Sequence, residues 1–108
     1  MKAMALIFKI CAEADWAAAV SAGVFNGAAV DLRDGFIHFS AAHQLRETAS
    51  RHFAGQAGLL LVAFEADSLG PALKWEASRG GDLFPHLHGP LDPALALWAK
   101  PLPPVESL

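Results

Sequence analysis

Tyrosine is missing from this chain of 108 residues, and cysteine occurs once, as Cys11. A single thiol excludes an intramolecular disulfide and a four-thiolate zinc site, and it fits a reducing compartment, with the cytoplasm as the expected location. There is no block of like charge: eight Lys and Arg against eleven Asp and Glu leave a formal charge of −3. That balance argues against an electrostatic nucleic-acid footprint and leaves a small molecule as the expected partner. Long apolar runs are lacking too. The uncharged stretch from Trp16 to Val30 contains Ser21, Asn26 and two glycines, and falls short of the roughly twenty apolar residues that a membrane span needs. The first residues carry no small-residue cleavage pattern, so no signal peptide is expected.

What is present is 54% apolar and 18% charged residues. This suits one domain over residues 1–108 that buries roughly two-thirds of the surface exposed by the unfolded chain. Ala5 to Ile10 reads as a first strand. Glu13 to Ala22 reads as a helix, with Trp16 and Val20 four apart, acids in its first turn and Gly23 at its end. Val24 to Asp34, with Asn26-Gly27 and Asp34-Gly35, reads as an irregular connection with room for a short strand. Phe36 to Phe39 alternates as a strand does, and Ser40 stands where it could cap a helix over Ala41 to Ala54. Leu59 to Phe64 is the best central strand, and Leu73 to Ala77 a half-exposed one. Two prolines flanking His86 and His88 predict an extended or edge geometry near a rim, Asp92-Pro93 a short helical turn, and Leu95 to Lys100 a last strand. Five or six strands with two helices make an α+β domain.

Two segments could carry chemistry. In Asp34-Gly35-Phe36-Ile37-His38-Phe39-Ser40, a glycine turn leads into a strand ending at a helix N-terminus, where backbone N–H groups and His38 could meet an anion or a ribose hydroxyl. The bland alternative is a capping Ser40 and a half-buried His38 bonded to backbone. In Arg79-Gly80-Gly81-Asp82-Leu83-Phe84-Pro85-His86-Leu87-His88, two imidazoles on an extended chain share a face about 7 Å apart. With His38 they could form a three-imidazole zinc site, although His-x-His also arises by chance. Glu76 could accept a ribose hydroxyl or stabilise positive charge at a sugar carbon, or simply face solvent. His43 and His52 read as surface residues, and Cys11 has no partner spacing for nucleophilic chemistry.

Taken together, Ile7-Phe8-Lys9-Ile10, the Trp16 helix, Asp34 to Ser40, Lys74-Trp75-Glu76 and Phe84 to Leu91 resemble a bacterial family catalogued as domain of unknown function 952. Its members are similar in fold to the ADP-ribosyltransferase superfamily, which implies a small mixed or antiparallel split sheet with two main helices around a cleft for NAD. The resemblance implies that Lys9, His38 and Ser40 line this cleft and that His86 faces it. The His38 segment also looks like the His-Leu-Ser stretch of RNA 2′-phosphotransferases. Family members often carry Ile-Tyr-His-Ile where this chain has Ile7-Phe8-Lys9-Ile10, and tyrosine where it has His88. Phe36, Phe39 or Phe84 would then take over ring stacking.

The implied enzyme would transfer a ribosyl group or cleave a glycosidic bond. His38 would orient the ribose and His86 would serve as hydrogen-bond partner or acid–base group, while Arg79 or Lys9 would contact phosphate, with Ser40, Glu76 and His88 completing the binding site. The alternatives are a module that binds a nucleotide or metabolite without turnover, and a metal-dependent hydrolase built on His38, His86 and His88.

Overall fold

A computed structural model describes residues 5–108, with the side chain of Arg79 outside the described set. The strands are β1 (Leu6–Ala12), β2 (Ile37–His38), β3 (Ser40–Ala41), β4 (Leu59–Glu65), β5 (Leu73–Ala77), β6 (Leu83–Leu87) and β7 (Trp98–Pro101). The helices are α1 (Glu13–Ala22), α2 (Ala29–Asp34) and α3 (Leu45–His52). They form an α+β fold with two sheets, a four-stranded one ordered β3-β1-β4-β7 and a three-stranded one ordered β2-β6-β5. Every strand pairing among the described residues is antiparallel, which fits the antiparallel alternative for both sheets. No helix among the described residues is long and apolar enough to cross a membrane.

Strand alternation explains the layers. On β1, Phe8 and Ile10 face Leu45 and Ala49 of α3, and Leu102, Val105 and Leu108 of the C-terminal tail pack against the same cluster. Ile7 and Cys11 face the other way, toward Trp16 and Ala19 of α1 and toward Ile37 and Leu87 of the smaller sheet. The continuous aliphatic run of β4 fits its central place between β1 and β7, with both faces covered.

Several local expectations give way to tertiary structure. In α1 the buried pair is Trp16 and Ala19, and Val20 is exposed. The connection read as irregular contains α2, which escapes recognition because its polarity is inverted: Asp31 is buried while Val30 and Leu32 are exposed. Ser40 caps no helix. It lies in β3 opposite Phe8, and its hydroxyl meets that of Thr48 at 3.0 Å. The helix expected from Ala41 begins instead as a 3-10 turn at Ala42–Gln44, where the Gln44 side chain accepts the Ala41 N–H at 2.9 Å.

The proline-bearing segment is extended, as one of the two expected geometries had it, but it is not an edge: β6 is the central strand of its sheet. Pro85 is tolerated there because its carbonyl accepts the Phe39 N–H at 3.0 Å. The missing donor of Pro85 therefore also points toward the β2 side, just where the two-residue β2 has ended. The last strand starts later than expected, at Trp98, because Pro93–Leu95 forms the 3-10 turn that Asp92-Pro93 foretold.

Candidate functional site

Antiparallel register brings together the two imidazole-bearing segments. His38 of β2 lies directly opposite His86 of β6, and His86 lies opposite Lys74 of β5, so all three occupy one face of the smaller sheet. Glu76, two residues along β5 from Lys74, reaches diagonally. Its Oε1 lies 2.9 Å from His86 Nδ1 and 2.7 Å from His88 Nε2. Phe36 sits among the imidazoles, with its ring centroid 4.1 Å from His86 in a stacked arrangement, 4.6 Å from His38 and 5.2 Å from His88. Of the phenylalanines that could replace the absent tyrosine, Phe36 stacks in this cluster. Phe39 points into the core against Phe64.

Behind the imidazoles lies a buried acid. Asp31 is 1% exposed and Lys9 is 4% exposed, and the Lys9 ammonium donates to both Asp31 oxygens at 2.9 and 3.0 Å. Asp31 also accepts the Ala28 N–H at 2.8 Å and the His38 N–H at 3.0 Å, and it faces His38 Nδ1 at 2.7 Å. This packing needs Gly27, which has φ +118, because a Cβ there would lie 2.7 Å from the Cβ of Asp31. Burial alone would raise the Asp31 carboxyl. The His38 ring, the Lys9 charge and the His38 backbone N–H overcome it and hold the acid below the usual carboxylate range. Burial also depresses Lys9, against the attraction of Asp31.

The other nitrogen of His38 lies 3.0 Å from Asp34 Oδ2. A doubly protonated ring donates to a carboxylate on each side, whereas a neutral ring can donate on only one. Gly35, left-handed at φ 86, ends α2 and turns the chain so that Asp34 and His38 meet. The contacts from His88 and then His86 hold the Glu76 carboxyl below its ordinary value.

His86 is 6% exposed, and burial lowers its pKa from the ordinary 6.5 while the Glu76 hydrogen bond works against that shift. Just below the ordinary value the unfolded chain therefore binds a proton that the folded chain refuses, and this residue's contribution to stability falls as pH drops through that window. Urea midpoints of the wild type and of His86→Gln, compared from about pH 7.5 to about pH 5.5, should show the wild type losing ground to the variant. A difference that stays constant with pH would contradict this.

The expected site residues divide into groups. His38, His86, His88 and Glu76 meet, and Lys9 reaches the cluster through Asp31. Ser40 does not share a lining with Lys9: it shares its sheet face with Phe8 on the α3 side, and the neighbouring β1 residue Lys9 points the opposite way. The Arg79 side chain lies outside the described residues. Burial pushes the Cys11 thiol up to about 11, leaving it unreactive. Among the described residues no group of three or more His, Cys, Asp or Glu could hold a metal ion. Sequence reasoning missed Asp31 and Asp34 as partners of His38. The available signal was the pair of acids three apart, just before the glycine turn that leads to it.

Comparisons with known proteins place these residues in a wider setting. A family model described as "Protein of unknown function (DUF952)" matches residues 10–99. The X-ray structure of protein CC0527 from Caulobacter crescentus is 54% identical to this chain, covering 91% of it and 86% of CC0527, with a TM-score of 0.88. The solution NMR structure of CC0527 is 55% identical and covers 90% and 84% of the two chains, with a TM-score of 0.81. Among curated proteins no match was found.

Proposed function

We propose, for a chain that belongs to the family described as protein of unknown function (DUF952), that the imidazole cluster binds a small ribosyl compound and breaks or transfers its bond at the anomeric carbon. NAD is the first substrate to test. The reading rests on resemblance for its reaction class and on one observation for its chemistry: the Glu76–His86 pair. Burial favours neutral His86 near pH 7. If Nδ1 carries the proton toward Glu76, Nε2 keeps a lone pair and can take a proton from an incoming hydroxyl. The glycosidic C–N bond then breaks with its electron pair leaving on the pyridine nitrogen, the hydroxyl oxygen bonds the anomeric carbon, and its proton passes to Nε2. The Glu76 charge stabilises the oxocarbenium-like state.

The pyridinium-ribose end of NAD suits this donor set, because carboxylates and the Phe36 ring favour a flat cation. Lys9 is committed to Asp31 and fixes that acid instead of meeting phosphate. His38, with each ring nitrogen on a carboxylate, forms a wall of the site and positions Asp34.

A second reading, binding without turnover, is favoured by the stacking of Phe36 directly on His86. Isothermal titration with NAD, followed by an assay for released nicotinamide, separates the two. Heat and product in the wild type, with product lost at least about a hundredfold in His86→Ala, support catalysis. Heat without product assigns the cluster to binding, and neither heat nor product removes the dinucleotide from both readings.

A further inference from the structure

Among the described residues the smaller sheet has one long open edge. Its β2 edge is only two residues long, whereas β5 is a five-residue edge strand without proline or bulge. On the larger sheet, the β7 edge ends in Pro101 and the β3 edge is two residues long, both common means of blunting an edge. The β5 edge instead presents Trp75, 44% exposed, between Lys74 and Glu76.

The register shows which backbone groups are open. Ala72 accepts the His88 N–H and Ser78 donates to the Asp82 carbonyl, so the even-numbered residues of β5 turn their backbone groups toward β6. Trp75 and Ala77 therefore point N–H and C=O outward, and Leu73 points its carbonyl the same way.

We infer that β5 is a self-pairing edge whose partner is a second copy of this chain. In a two-fold antiparallel pairing centred on Trp75, the Trp75 N–H and C=O groups of the two copies bond each other reciprocally, and each Ala77 N–H meets a Leu73 carbonyl. The same register sets Lys74 of each copy opposite Glu76 of the other, in the closer, non-hydrogen-bonded type of pair. The strand Leu73-Lys74-Trp75-Glu76-Ala77 is thus complementary to itself in backbone, charge and aromatic surface. The two sheets join as β2-β6-β5-β5-β6-β2. Such a strand pair buries less than a standard interface, so the association is weak and concentration-dependent. Each Lys74 would also reach the carboxylate that holds His86 and His88 in the other copy, which links assembly to the site.

Sedimentation equilibrium of the full chain tests this. The wild type should form dimers whose fraction rises from micromolar to millimolar concentration. Lys74→Glu and Glu76→Lys, each alone, should weaken self-association by about tenfold or more, because like charges then oppose each other in both symmetric pairs. Mixed together, the two variants should form a heterodimer, since every pair is again of opposite sign. Thermal melts of each variant establish that it is folded before its mass is read. A wild type that stays monomeric at millimolar concentration overturns the proposal. So do a Lys74→Glu protein that dimerises like the wild type and folded variants that fail to associate when mixed.

Discussion

Asp31→Ala should lower folding stability by about 3–5 kcal/mol, because removing one partner of a buried ion pair leaves the other charge uncompensated. The ammonium of Lys9 would lose its acceptor, and the N–H groups of Ala28 and His38 would lose theirs. For a domain of this size total stability is on the order of 5–15 kcal/mol, so the variant should melt more than about 15 °C below the wild type. Calorimetry or thermal circular dichroism reads this directly, and a melting point within a few degrees of the wild type would refute it. Lys9→Met should also destabilise, by stranding Asp31. Lys9→Met combined with Asp31→Leu should then cost less than the sum of the two single changes, because neither charge is left buried alone.

The acid limb provides an independent check. Asp31 is held below the ordinary carboxylate range, so its contribution is present above the ordinary value of 3.8 and fades as pH falls below it. Acid titration of stability should therefore be shallower in Asp31→Asn than in the wild type.

The second large effect is expected at Phe64. It is fully buried on β4, lies opposite Ile7, and makes edge-on contacts with Trp16 at 6.2 Å and Phe39 at 5.6 Å. It therefore links the larger sheet to α1 and to the residue that follows His38. Phe64→Ala should cost about 3–5 kcal/mol, combining lost transfer energy with a cavity that neighbouring rings fill only in part. Leu32→Ala, at a position 65% exposed on α2, should stay within about 0.5 kcal/mol of the wild type. Chemical denaturation of both variants reads the contrast, and similar midpoints for the two would show that the aromatic junction is not what holds the layers together.

The site was legible in part. His86 and His88 share a face because the side-chain period of a strand is two, and both do reach Glu76. The meeting of His38 with His86 depends on a pairing register between residues 48 positions apart, which periodicity within either segment cannot specify. Asp31 was hidden for a different reason. Helix reading assumes apolar residues inside, and α2 buries its acid because Lys9 and the backbone N–H groups of Ala28 and His38 satisfy it there. Ser40 looked like a cap for the same local reason, whereas β1 recruits it as a strand partner.

From the amino acids alone come the α+β class, the span of α1, the aliphatic centre at β4 and the imidazole-rich character of the second segment. These follow from side-chain pattern and backbone preference acting over a few neighbouring residues. Tertiary structure decided that the proline-bearing β6 is central in its sheet, which face Ser40 takes and which acids hold His38. Those outcomes depend on charges and hydrogen-bonding groups that become neighbours only when distant segments pair and exclude water.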